Sequence, residues 1–497
     1  MYRPGSLILI IISIFILVLT NCSSEKQHPN IIFILADDLG YGDPGCYNED
    51  SKIPTPNIDK LASGGMMFTD AHTPSTVCSP TRYALLTGRY AWREPRLIRG
   101  VLGKTDMPVI DIERLTVADM LQKAGYKTAA IGKWHLGLEW QLIDTGKPVS
   151  VSNIEWSKPQ LSGLGDQGFD YSFSLGMPGW TFTQNNIALA VPDEQFDLDS
   201  IGPFLIGPNN IKGYKSSDYE HEKMLPTFTQ KALQFIRSAS EDGSQFFLYF
   251  APMCPHKPVV PNKEFIGISD AGLYGDFVNE LDYSVGLILN ELEKSNISEN
   301  TLIFLSSDNG PENTAYERIT NTGHHSMDGL RGVKRDLWEG GHRVPLIVRW
   351  PGKVKSSSKN NETICLVDFM ATIADITGYE LKKEEAEDSF SFLPLLEGKH
   401  SEINKREPVV HHSNRGNHAI RKDEWVYIDV PSGDMNNEPE WFRNELGVQA
   451  HNDECELFNL SDDPKQTRNL DEVFPGITME LKDNLERIKA RGTEKSR

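Results

Sequence analysis

Two acidic pairs each stand directly behind an apolar run of strand length. Ile31 to Ala36 runs into Asp37-Asp38-Leu39-Gly40, and Leu302 to Ser306 runs into Ser307-Asp308-Asn309-Gly310. In open α/β sheets ligands bind outside the carboxyl ends of the strands, so two such clusters can meet on one edge. Asp37, Asp38, Asp308 and Asn309 together offer side-chain oxygens that suit a hard cation such as Ca²⁺, whereas zinc would call for His or Cys. Either pair alone reads as a turn; two of them at equivalent strand ends point to a site. Cations follow other strands in the same way. Ala129 to Gly132 leads into Lys133-Trp134-His135, Phe246 to Ala251 leads toward His256-Lys257, and Arg331 to Lys334 precedes an apolar run that begins at Val344. A single Lys or His in such a place is ordinarily surface or core. Several converging on carboxylates and a metal would clamp a tetrahedral oxyanion, with Lys and Arg holding charge and His moving protons.

One more reactive candidate is Cys78, in the run Val77-Cys78-Ser79-Pro80-Thr81-Arg82. Pro80 suits the first turn of a helix, and the apolar spacing carries that helix to Gly88. The positive end of the helix dipole then favours a reactive thiolate at Cys78, with a structural buried Cys as the plainer alternative.

The elements that must position these residues alternate in type. Ile31–Ala36, Thr128–Ile131, Phe246–Ala251, Leu302–Ser306 and Val344–Trp350 are continuous apolar runs, as expected of strands covered on both faces. Between them, Thr116 to Ala124 and Phe277 to Glu293 carry helical signals, Thr116 as N-cap and Gly125 as terminator in the first. The pattern predicts an α/β fold with a largely parallel sheet. From about Asn404 it changes to short strands and a polar C-terminal helix, a small separate α+β domain. The stretch from Glu139 to Met224 is rich in Gly, Pro, Asn and Trp with weak periodicity, and reads as loop insertions over one face.

With 497 residues the chain is long enough for one large domain and a smaller one. Its formal charge of −20 and the lack of any Lys/Arg block argue against nucleic acid as a partner. An anionic substrate would be repelled as well, so its site must be locally basic. Arg3, the apolar run Leu7 to Leu19 and then Cys22 form a secretion signal that is similar to a bacterial lipoprotein leader, in which Cys22 is lipidated. A spanning anchor is less suited, since the run is shorter than the ~20 residues a membrane helix needs. If Cys22 and Cys78 are both modified, Cys46, Cys254, Cys365 and Cys455 remain, and their spacing leaves free thiols and several disulfide pairings open.

Taken together, these residues resemble the type I, formylglycine-dependent sulfatases of the alkaline phosphatase superfamily. Cys78 to Arg82 with Leu86-Thr87-Gly88-Arg89 is similar to that family's maturation signature, and Gly132 to Gly137 to its second one. The likeness runs from Pro29 through Glu456 to Pro464 and Asn469-Leu470, and leans toward the arylsulfatase A and N-acetylgalactosamine-6-sulfatase branch. It implies an alkaline-phosphatase-like, large mixed, mostly parallel sheet, with a leader over residues 1–22, a catalytic domain over 29–403 and a small C-terminal domain over 404–497. It also implies one Ca²⁺ held by Asp37, Asp38, Asp308, Asn309 and Cys78, the last oxidised to formylglycine by a maturation enzyme. On this resemblance the hydrated aldehyde would attack sulfur with one hydroxyl, and the other would then lose its proton to His135 and expel sulfate as the aldehyde re-forms. By the same resemblance Arg82 stabilises the formylglycine, Lys133 and Lys334 grip sulfate, and His256 protonates the leaving alcohol. Ser174 is a candidate sulfate contact, although the run around it departs from the relatives that place Ser or His there.

Substrate choice is expected of His324, His325, Arg343 and the Trp-bearing segment from Trp140 to Trp180, where aromatic rings could stack on a sugar. The expected substrate is a sulfated saccharide, and the expected location the bacterial periplasm or cell envelope, through a lipid anchor. The rival readings are a phosphoesterase or phosphonate monoester hydrolase of the same superfamily, and a catalytically silent glycan-binding lipoprotein.

Overall fold

The computed structural model describes residues 28–197, 212–399, 406–435 and 438–491. The expected leader and Cys22 lie outside these residues, as does the expected boundary at 404. At the centre are four neighbouring parallel strands. In chain order they are β1 (Asn30–Ala36), β2 (Lys127–Gly132), β3 (Phe246–Ala251) and β4 (Thr301–Ser307). Across the sheet they lie in the order β4-β1-β3-β2, with Ile31 opposite both Phe247 and Leu302. All are buried along their length apart from Lys127, which is why they read as apolar runs without alternation.

The pleat sends successive side chains to opposite faces, and each face has its own core. Ile31, Phe33 and Leu35 pack with Leu85 and Leu86 of helix α1 (Cys78–Thr87) and with Phe369 and Ile373, whereas Ile32 and Ile34 pack with Phe228, Ile236, Val285 and Ile288 on two long helices. Those helices are Met224–Glu241 and Gly272–Lys294, the second longer at both ends than its apolar spacing suggested. Thr116 caps the helix Val117–Lys123 as expected: its side chain accepts from Asp119 N while the Asp119 carboxylate accepts from Thr116 N.

Two expectations are corrected. The predicted strand from Val344 is shorter, Leu346–Arg349, and pairs antiparallel with β4. The region from Glu139 to Met224 is not loop alone. Tyr171–Leu175 adds a parallel strand beside β2, and Phe182–Gln184 and Ile187–Ala188 extend the same sheet antiparallel to ten strands. These pieces are two to five residues long, too short to carry a visible period.

The C-terminal part forms a four-stranded antiparallel sheet of Val409–His412, His418–Lys422, Trp425–Ile428 and Glu456–Asn459, covered by the helix Pro475–Ala490. It is tied to the segment that delivers Cys78. Ser75 bridges His412, and Ser75 Oγ and Thr76 N both donate to His412 O, at 2.9 and 3.1 Å. The cysteines among the described residues are all free thiols.

Candidate active site

The carboxyl ends of the four central strands each release site residues: Asp37 and Asp38 after β1, Lys133 and His135 after β2, His256 after β3, and Asp308 and Asn309 after β4. Cys78 enters from the side as the first residue of α1, with Val77 extended as its N-cap and Gly88 closing the helix in the left-handed region. Lys334 comes from the loop before residues 339–342. All the expected metal ligands and Lys334 are almost fully buried.

Each cation has its anion. Lys133 Nζ donates to Asp37 Oδ2 at 2.6 Å and Lys334 Nζ to Asp38 Oδ1 at 2.5 Å. Arg82 donates through Nε and Nη2 to Asp308 Oδ2, at 3.0 and 2.7 Å, and through Nη1 to Lys133 O. The Cys78 thiol lies 3.4 Å from Lys334 Nζ and 3.7 Å from Asp37 Oδ1. Burial alone would raise the Asp37 carboxyl, but Lys133, His256, Arg82 and Lys334 outweigh it and hold it well below the usual range. Asp308 goes the other way, to about 6, because burial and the neighbouring Asp37 charge exceed the pull of Arg82.

The expectation of a reactive thiolate is corrected. Burial pushes the Cys78 thiol up to about 12 in spite of Lys133 and Lys334, so as an unmodified side chain it is a poor nucleophile. A helix N-terminus contributes a fraction of a charge, which is too little against complete desolvation.

The donor chemistry fits a hard cation. Asp38 Oδ2 and Asn309 Oδ1 are buried without a hydrogen bond, as oxygens reserved for an ion would be, and they stand beside Asp37 and Asp308. Asp38, Cys78, Asp37 and His256 bring ligand atoms within 4.8 Å of one another. Asp38 takes a left-handed φ of 69° and His135 one of 58°, a region that non-glycine residues populate sparsely.

The two histidines have defined tautomers. His135 Nε2 donates to Leu102 O at 3.1 Å, which leaves Nδ1, buried and without a partner, as the basic nitrogen. Burial, then Lys133 and Arg82, depress its pKa well below the ordinary value, so the ring is neutral. His256 Nδ1 donates to Lys257 O at 2.5 Å, and Nε2 sits 3.8 Å from Asp38 Oδ2.

A pocket of about 320 Å³ opens beside this cluster, lined by Lys133, His135 and His256 and by Lys104, Leu175 and Trp180. Of the expected specificity residues, only the Trp180 end of the aromatic segment lines it. Trp140 and Trp156 pack on each other in a separate small core. His324 is buried with Nε2 on Asp43 Oδ1 at 2.8 Å, and Arg343 is engaged by Thr69 O, Glu339 and Asp70. Neither of them, nor His325, lines the pocket. Ser174 pairs with Gly132 in the sheet, its Oγ buried without a partner. Sequence reasoning missed Lys104, and also Glu312, which holds Arg335 through both carboxylate oxygens and Lys257 at 3.2 Å.

A second buried cluster, His72, His342 and His411, is placed differently. His72 Nδ1 and His342 Nδ1 are 3.1 Å apart, and the His342 and His411 rings stack at 3.8 Å with 13° between planes. In-plane lone pairs of stacked rings do not converge on one ion, so this is a packing contact between three segments.

Residues 29–379 match the family described as Sulfatase. The chain belongs to the sulfatase family. Residues 331–429 of this sulfatase also match the family described as N-sulphoglucosamine sulphohydrolase, C-terminal. It is 33% identical to an N-acetylgalactosamine-6-O-sulfatase of Bacteroides thetaiotaomicron, over 96% of this chain and 98% of that one, and 32% identical to human steryl-sulfatase, over 80% and 74%. Among solved structures it resembles the 6S-sulf protein of a Bacteroides thetaiotaomicron locus for metabolism of multiple glycosaminoglycans. There the TM-score is 0.79 and the identity 32%, over 93% of this chain and 100% of that chain. The sulfatase is thus a sulfuric ester hydrolase of the arylsulfatase A and N-acetylgalactosamine-6-sulfatase branch, with an alkaline-phosphatase-like fold.

Proposed function

We propose that this enzyme removes sulfate from a sulfated carbohydrate, using formylglycine made from Cys78 and one Ca²⁺ held by Asp37, Asp38, Asp308, Asn309 and residue 78. The observation that carries this reading is the meeting of Cys78 Sγ with Lys334 Nζ and Asp37 Oδ1, at 3.4 and 3.7 Å, beside two buried oxygens that lack hydrogen bonds. A buried thiol of raised pKa has little use as a nucleophile, and the surroundings suit a residue that meets a cation through oxygen. Formylglycine supplies a hydrated aldehyde, and Ca²⁺ the positive charge that acidifies its hydroxyls.

The other roles follow from each side chain's contacts. Lys334 and Lys133 flank residue 78 from Asp38 and Asp37, where their ammonium groups can grip the oxygens of a bound sulfate ester as negative charge builds on them. Arg82 fixes Asp308 and the Lys133 backbone and so holds residue 78 in register. His135, neutral with a free Nδ1, accepts a proton. His256 opens on the same pocket and hands a proton to the departing alcohol; burial holds its pKa at about 4, and an arriving sulfate anion draws the proton back. Ser174 Oγ is a further donor near the end of β2.

The carbohydrate assignment draws on the relatives named for N-acetylgalactosamine 6-sulfate and on a pocket with an aromatic wall. The leader over residues 1–22 supports export to a bacterial envelope, with Cys22 as a lipid anchor, and a formylglycine-generating enzyme as partner. No described helix is long and apolar enough to cross a membrane. The complete set of charged groups around residue 78 speaks against a silent binding protein, and the named relatives speak against a phosphoesterase.

The test is the mass of the peptide containing residue 78, taken from protein made in its own host, together with sulfate release from a panel of sulfated sugars. Formylglycine and release are expected. Unmodified Cys in turnover-competent protein would refute the mechanism.

A further inference from the structure

Most cations around the pocket already have a carboxylate. Lys133 is paired with Asp37, Lys334 with Asp38, and Lys257 with Glu312. Lys104, on the pocket's rim, is different: among the described residues it makes no hydrogen bond or ion pair, and its ammonium lies 5.4 Å from the centroid of the Trp180 ring. The residue as a whole is exposed, and partial desolvation against the pocket lowers its pKa. Asp106 lines the same pocket and accepts from Gly103 N at 2.7 Å, but it forms no ion pair with Lys104.

Trp180 is a fixed wall. Its backbone N donates to Tyr214 O and its carbonyl accepts from Ser216 N, both at 2.9 Å, and Phe196, Tyr219 and His221 pack around the ring. The residue is 4% exposed, yet its indole N–H has no acceptor. Burial, with Lys215 and Lys104 nearby, holds His221 at a pKa of about 4, so the ring behind Trp180 is neutral; Lys215 is engaged by Glu194 at 3.1 Å, whereas Lys104 has no ion pair. Leu138, Leu175 and Met177 supply apolar surface alongside.

We infer that Lys104 and Trp180 form a subsite for a second acidic group of the substrate, a carboxylate or a further sulfate borne on the sugar that carries the scissile ester or on the adjoining one. This rests on the reading of the enzyme as a carbohydrate sulfatase. The buried indole fixes the wall beside Lys104, and the sugar's acidic substituent meets an ammonium that makes no ion pair with a protein carboxylate. The chain's net charge of −20 makes such a local cation more telling, since an acidic saccharide is otherwise repelled.

The test compares wild type, Lys104→Met and Lys104→Arg on four probes: an aryl sulfate, a monosulfated neutral monosaccharide, its disulfated counterpart, and a monosulfated disaccharide containing a uronate. In Lys104→Met the ratio of kcat/KM for an acid-bearing probe to that for the monosulfated sugar should fall about tenfold or more, carried by KM, with Lys104→Arg restoring it. Whether the disulfated or the uronate probe responds identifies the acidic group. A ratio that stays within about twofold for both probes overturns the inference while the carbohydrate reading stands. Wild-type turnover of the aryl sulfate with none of the sugars would instead overturn that reading and the inference with it.

Discussion

Asn309 gives its amide N–H to Asp38 Oδ1 at 2.7 Å, and the two side chains keep one buried oxygen each, Asn309 Oδ1 and Asp38 Oδ2, without a hydrogen bond. The bond joins the end of β1 to the end of β4 and orients both groups. Replacing Asn309 by Ala removes one oxygen and frees the other, so Ca²⁺ affinity should fall by about tenfold or more, as loss of a ligand and its orienting bond predicts. Calorimetric titration of chelator-stripped protein measures this. Unchanged affinity would remove Asn309 from the proposed ligand set.

Arg82 and Asp308 are both fully buried, with two contacts at 3.0 and 2.7 Å. Arg82→Ala leaves the Asp308 charge without its fork of donors, a change that typically costs about 3–5 kcal/mol in a buried pair. Denaturant unfolding should show that loss, and turnover should vanish with it. Arg82→Lys should recover part of the stability and little of the activity, because one ammonium cannot serve both Asp308 and Lys133 O.

Gly132 ends β2 with φ +117°, and a Cβ there would sit 2.1 Å from Ala251 O. Lys133 N donates to that same carbonyl at 2.7 Å. Gly132→Ala must therefore push β2 from β3 just where Lys133 and His135 depart. Sulfate release should drop by roughly a hundredfold or more, since small displacements of positioned groups have effects of this size. Circular dichroism should meanwhile report a folded protein.

His221, whose ring centre lies 4.8 Å from that of Trp180 at a 50° tilt, has a pKa of about 4 against an ordinary 6.5. The folded protein binds fewer protons than the unfolded chain between those values. Stability from this site is therefore complete above about pH 6.5 and is lost as pH falls toward 4, by about 3 kcal/mol. Urea midpoints across that window should decline in wild type and decline less in His221→Phe. Equal slopes would show that the ring is already protonated or solvated.

Much of this architecture is legible in the sequence because buried parallel strands declare themselves. β3 spans the predicted residues, β1 begins one residue earlier, β4 is one residue longer at each end, and Asp37, Asp308, Lys133 and His256 stand where strand ends must put them. The strands after Tyr171 were hidden by their shortness. His324 and Arg343 looked available because a sequence does not show that Asp43, Glu339 and Asp70 occupy them. The Cys78 thiol was misjudged for a related reason: its helix position is readable, but its desolvation depends on packing from all sides. Lys104 carries no local signal at all, since its significance is an ion pair that it does not make.

The closing of the fold also sets a timetable. Cys78 is 2% exposed, and the segment just before it is clasped by His412, a residue synthesised more than three hundred positions later. If Cys78 is converted as proposed, the modifying enzyme would reach this thiol before these contacts close. With residues 74–76 held against the C-terminal sheet, the proposed conversion would require that contact to be open.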